Sequence, residues 1–80
     1  MRRLNIFRKQ IDEVDGQIVN LLAKRMKTVK KIGRFKKENN IPVLDKLRWQ
    51  EVIKSKKGYV KKIWEIIHDE AIASEQKILK

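Results

Sequence analysis

The chain has no cysteine among its 80 residues, which excludes disulfides, cysteine metal sites and a thiol nucleophile. A reducing, cytoplasmic setting is the expectation that follows. Pro42 is the single proline, so little interrupts a helix over most of the length. No strand pattern, internal repeat or low-complexity segment is present. Long uncharged apolar runs and a secretory signal pattern are missing too, so neither membrane insertion nor export is expected. Acids are scarce: Asp and Glu total 10 against 21 Lys and Arg, a formal net charge of +11. That imbalance predicts attraction to anions, whether nucleic acid, a membrane surface or a small polyanionic metabolite.

What is present reads as an all-α chain, one domain over residues 1–80 with three helices. Apolar residues recur at alternating steps of three and four over about residues 4–37, predicting one long helix of roughly 50 Å. "ENNIP" stops it, because Asn suits a helix end and Pro42 pushes Ile41 out of helical geometry. Asp45 is a natural N-cap for a second helix over about residues 45–57, and Gly58 a natural terminator. A third helix covers about residues 59–79, with Val60, Ile63, Trp64, Ile67, Ala71, Ser74 and Ile78 along one face. Gly16 and Gly33 lie inside the first helix at a cost of roughly 1 kcal/mol each relative to Ala; close helix packing would explain them. A chain this short buries only a modest core, so oligomerisation is expected.

The apolar stripe of the first helix is broken by charge. Its steps give Arg8, Ile11, Asp15, Ile18, Leu22, Arg25, Val29, Ile32 and Lys36. Any one long cation at a stripe's edge can snorkel to solvent. Several pointing inward instead predict a pocket for a multiply charged anion, with Arg supplying a planar fork for carboxylates and Lys a compact donor. Arg8 and Arg25 stand about 25 Å apart along a single helix. They cannot hold one small ligand together, so Arg8 would have to serve the pocket of a second chain. In "PVLDKLRWQ" Asp45 alone reads as a cap and Arg48 alone as a solvated charge.

Taken in order, Arg8, Arg25, Lys36 and then Pro42-Val43-x-Asp45-x-x-Arg48 resemble the all-helical class of chorismate mutases. "FRKQIDEVDGQIVNLLAKRMKTVKKIGRFKK" is similar to that family's opening helix, with its Arg and its "IDxxD", "LLAxR" and "IGxxK" elements. The resemblance covers nearly the whole chain. It implies an intertwined helical homodimer that converts chorismate to prephenate by an intramolecular Claisen rearrangement, with no cofactor or metal, in phenylalanine and tyrosine biosynthesis. By position, Arg25 and Arg8 of the partner subunit would grip the two substrate carboxylates. Lys36 would donate to the ether oxygen, Arg48 would assist at a carboxylate, and Asp45 would lie beside the ring hydroxyl.

The third helix departs from the family pattern. In "WEIIHDEAIASEQ", Ala71 stands where Ser is common, and Glu75 where Gln often contacts the ether oxygen. Glutamate can donate there only while it carries a proton, which burial favours. Trp49 occupies a position where the family usually has Glu to bind the ring hydroxyl. His68 reads as structural beside an apolar face, since the reaction needs no proton transfer. "GRFKKENNIP" and "IIH" are also similar to isochorismate pyruvate lyase, a relative with a comparable cationic pocket; Asp45 before Arg48 favours the mutase. A basic nucleic-acid-binding protein is the competing class, resting on "KTVKK", "GRFKK", "KSKKGYVKK" and Tyr59. The inward placement of Arg25 argues against it.

Overall fold

The three-and-four spacing carries a single helix, α1, from Arg2 to Glu38 in the computed structural model, which describes residues 2–80. Asn40 ends it in the left-handed region at φ 54°, a conformation asparagine tolerates better than most residues. That turn lets the Ile41 N–H reach back to the Lys36 carbonyl at 2.9 Å, closing the helix in a Schellman arrangement. The Asn39 side chain adds a 2.8 Å bond to the Phe35 carbonyl.

α2 spans Lys46–Lys54 and α3 spans Tyr59–Leu79, and no strand occurs among the described residues. Asp45 caps α2 as expected: its backbone is extended and its Oδ1 accepts from the Arg48 N–H at 3.0 Å. The far end of α2 corrects the sequence reading. The helix stops at Lys54 rather than near residue 57, because the Ser55 hydroxyl donates to the Val52 carbonyl at 2.6 Å, and such local bonds compete with helix continuation. Gly58, at φ 60°, does not terminate α2 but precedes α3 as its N-cap.

α3 packs along the C-terminal half of α1, and α2 packs on α3. The buried residues are few: Val29 and Gly33 on α1, Ala71 and Glu75 on α3. Gly33 is the point of closest approach, where an added Cβ would lie 3.0 Å from Ile78 Cδ1 and 3.4 Å from Glu75 Cα. Among the described residues no other part of the chain approaches a Cβ at Gly16 within 4 Å, so close packing explains only one of the two helical glycines. On α3 the expected apolar face is half-buried or buried except at Ile63, which is exposed.

The N-terminal half of α1 runs on without a neighbour among the described residues. Leu4, Phe7, Ile11, Val14, Ile18 and Leu22 are all exposed along it. The chain is accordingly elongated, 57 × 23 × 14 Å with a radius of gyration of 16.5 Å, against about 12 Å for a compact chain of this length. It exposes 7193 Å², where a folded monomer of this mass exposes about 5,100 Å². No helix among the described residues is long and apolar enough to cross a membrane.

Candidate active site

Arg25, Val29, Ile32 and Lys36 follow one another at helical spacing and so share one face of α1. That face looks into a cavity of about 290 Å³, close to the lower end of small-molecule sites. α3 supplies His68, Ala71, Ile72 and Glu75, and α2 supplies Arg48, Trp49 and Val52. The connecting segment adds Val43 and Asp45. The Asp45 cap and the early turn at Pro42 therefore bring the "PVLDKLR" stretch over the α1–α3 groove.

Lys36 ties three parts of the chain together. Its Nζ donates to the Val43 carbonyl at 2.7 Å and lies 2.9 Å from Glu75 Oε1, the two side chains being 15% and 7% exposed. The second contact is short but poorly directed, so Oε1 has charge complementarity without a well-formed hydrogen bond. An ammonium carries three protons. One is committed to Val43 and one faces Glu75, which leaves a third for a ligand. Glu75 is thus buried, as its assigned place requires, and meets Lys36 as an acceptor.

Arg25 is half-buried, and among the described residues no carboxylate lies within ion-pair distance of it. A half-buried guanidinium without a carboxylate partner favours an incoming anion. Arg48 pairs with Glu51 at 3.5 Å, both side chains about 70% exposed. Surface pairs of this kind are weak, so Arg48 gives up little by turning toward the cavity. Asp45 spends Oδ1 on its cap. Ala71 forms part of the buried floor.

Six of the seven residues singled out in the sequence line this one cavity: Arg25, Lys36, Asp45, Arg48, Ala71 and Glu75. Arg8 does not. It lies in a shallow depression with Arg2, Asn5, Ile6, Lys9 and Asp12, near the free end of α1. His68, set aside in the sequence, belongs to the wall and stacks on Trp49 with ring centroids 4.0 Å apart and planes 20° from parallel. The signal that would have found it is its spacing, since positions 68, 71, 72 and 75 recur on one helical face.

The arrangement offers three cations and two carboxylates around a space with apolar walls. It suits binding and electrostatic stabilisation of a small dianion. Among the described residues no group of three His, Asp or Glu is placed to hold a metal ion.

Comparison with known proteins identifies a family. The family described as chorismate mutase type II matches residues 7–76. A bifunctional chorismate mutase/prephenate dehydratase of Buchnera aphidicola subsp. Acyrthosiphon pisum is 33% identical over 87 residues, covering 96% of this chain and 23% of that protein. Its counterpart in Buchnera aphidicola subsp. Schizaphis graminum is 32% identical over 83 residues, covering 91% and 22%. A 3-dehydroquinate dehydratase of Pyrobaculum aerophilum is 34% identical over 64 residues, covering 80% and 21%. The chain therefore spans under a quarter of the length of these relatives. No solved structure matches it.

Proposed function

The chain belongs to the chorismate mutase type II family, and from that membership we propose that it rearranges chorismate to prephenate in cytoplasmic phenylalanine and tyrosine biosynthesis. The observation that carries the reading is the convergence of Arg25, Lys36 and Arg48 on one cavity, with Arg25 free of any carboxylate among the described residues. In this reaction the ether C–O bond breaks as a C–C bond forms within one molecule. No atom is gained or lost, and no proton is transferred. The protein has two tasks: to fold an extended dianion into its reactive shape, and to place donors where negative charge grows on the ether oxygen.

Arg25 grips one carboxylate and Arg48 assists at a carboxylate. The third Lys36 proton is directed at the ether oxygen. Glu75 faces the same oxygen from α3 and acts on it through Lys36, which it meets as an acceptor at 2.9 Å. Asp45 lies beside the ring hydroxyl, and Ala71 closes the floor.

The site is completed by a second copy of the chain, which brings Arg8 to the other carboxylate. Two quantities support the dimer. The uncovered apolar seam from Leu4 to Leu22 needs a partner. The surface in excess of a compact monomer, about 2,000 Å² per chain, is the amount an obligate homodimer buries.

Incubation of the purified protein with chorismate, and separately with isochorismate, tests the proposal, with products identified by chromatography. Prephenate from chorismate, reduced about 100-fold or more in Arg25→Ala and Lys36→Ala, is the expected result. Pyruvate and salicylate from isochorismate, with chorismate untouched, would transfer the assignment to the lyase. Silence with both, together with salt-dependent retention on DNA unaffected by Arg25→Ala, would favour the nucleic-acid reading.

A further inference from the structure

Chorismate presents two carboxylates, an ether oxygen and one ring hydroxyl. The cations of the cavity, together with Arg8 of the partner subunit, answer the first three. The hydroxyl needs a neutral partner or an acceptor, and the polar groups left to serve it are few. Glu75 is engaged with Lys36, and Asp45 retains only Oδ2 beyond its cap. The remaining polar groups in the wall are the rings of Trp49 and His68.

Trp49 closes the first turn of α2, its N–H donating to the Asp45 carbonyl at 3.0 Å, and both residues line the cavity. His68 stacks on Trp49 from α3. The stack covers a flat face of the imidazole and leaves its edge, which carries both nitrogens, for hydrogen bonding. Among the described residues neither nitrogen is engaged by another side chain or a carbonyl. His68 is half-buried and neither ring nitrogen is sealed from solvent, so the imidazole edge is open to a ligand in the cavity.

Resting on the mutase reading, we propose that His68 is a specificity-determining residue that donates a hydrogen bond to the ring hydroxyl of the substrate, while that hydroxyl donates to Asp45. Trp49 acts through His68 by holding its ring in place. The chain would then recognise the hydroxyl with an imidazole presented by α3, at the point where the tryptophan on α2 can present only an indole.

The test compares kcat/KM for chorismate with that for an analogue whose ring hydroxyl is replaced by hydrogen. His68→Phe keeps the stack on Trp49 and removes both nitrogens. Its kcat/KM on chorismate is expected to fall about 10- to 100-fold, with little change on the analogue, so that selectivity for the hydroxyl collapses. His68→Gln restores a donor and an acceptor and is expected to recover part of that selectivity. A purely structural role for His68 would lower both substrates together, and an unchanged selectivity ratio or a parallel loss would overturn the proposal. If His68→Phe loses its helical circular dichroism, His68→Leu carries the same comparison. A wild-type protein that turns over chorismate with a ratio insensitive to His68 refutes this inference alone. A wild type inert toward chorismate refutes the mutase reading and this inference with it.

Discussion

The two helical glycines of α1 invite the same substitution with opposite outcomes. Replacing glycine by alanine within a helix gains about 1 kcal/mol of backbone propensity. At Gly16 nothing opposes that gain, since among the described residues nothing beyond its own helical backbone and chain neighbours stands within 4 Å of the new Cβ. The position also faces away from Ile11, Ile18 and Leu22, so a partner helix on that seam would not touch it. Gly16→Ala should therefore stabilise by about 1 kcal/mol.

At Gly33 the new methyl group meets Ile78 Cδ1 at 3.0 Å, Glu75 Cγ at 3.3 Å and Glu75 Cα at 3.4 Å. The isoleucine end can swing aside, but the Glu75 backbone moves only if α3 moves. Overpacking of this kind costs about 1–3 kcal/mol, which offsets or exceeds the propensity gain. The two variants should thus differ by roughly 1–3 kcal/mol, a gap of about 5–20 °C in Tm for a chain of this size. Thermal unfolding followed by circular dichroism at one fixed protein concentration measures it. Gly33→Ala should also lower activity, because the shift carries Glu75 away from Lys36. A Gly33→Ala protein as stable and as active as Gly16→Ala would mean that α3 does not approach α1 as described.

Two further outcomes are expected. If the site is shared between subunits, Arg8→Ala and Arg25→Ala should each be inactive as homodimers, yet unfolding and refolding them together should restore about a quarter of wild-type activity through mixed dimers with one intact site; no recovery on mixing would remove Arg8 from the site. Glu75→Gln keeps the shape but removes the charge that faces Lys36 at 2.9 Å, and should lower kcat more than it changes KM if the residue acts as the transition state forms; a Gln variant with wild-type kcat and KM would take Glu75 out of the reaction.

The long helix was legible because its signal is local. Steps of three and four, the Asn pair and Pro42 each act within a few residues, and together they placed both ends of α1 within two residues of where they fall. The end of α2 was not legible. Gly58 is a strong local signal for a stop, but the Ser55 hydroxyl had already bonded the Val52 carbonyl, and Gly58 serves the start of the next helix instead. The cations of the cavity could be read from the stripe they interrupt. Their partners could not, since the Val43 carbonyl that holds Lys36 and the carboxylate opposite it come from a loop and another helix. Gly16 and Gly33 look alike in sequence and differ only in what lies across from them. His68 was set aside as structural although its spacing with 71, 72 and 75 already put it on the cavity face; what the sequence could not show is that Trp49 of α2 stacks against it.

The "IGxxK" element, Ile32 to Lys36, has one physical reading once the contacts are known. Gly33 removes the side chain that would hold α3 off, and Glu75 comes to the α1 surface at that point. Lys36, three residues on, lies on the same side of the helix and meets the carboxylate at 2.9 Å. Burying such a pair costs several kcal/mol in desolvation, and its net contribution to stability is small or negative. Its value lies in the state of the ammonium. A lysine in water would have to shed and reorient its shell as charge develops on a substrate, whereas Lys36 is pinned between Val43 and Glu75 before any substrate arrives. A donor already in position contributes its full electrostatic effect without reorganisation. If Lys36 acts as proposed, the glycine serves the chemistry too, because it lets α3 come close enough for Glu75 to meet the lysine.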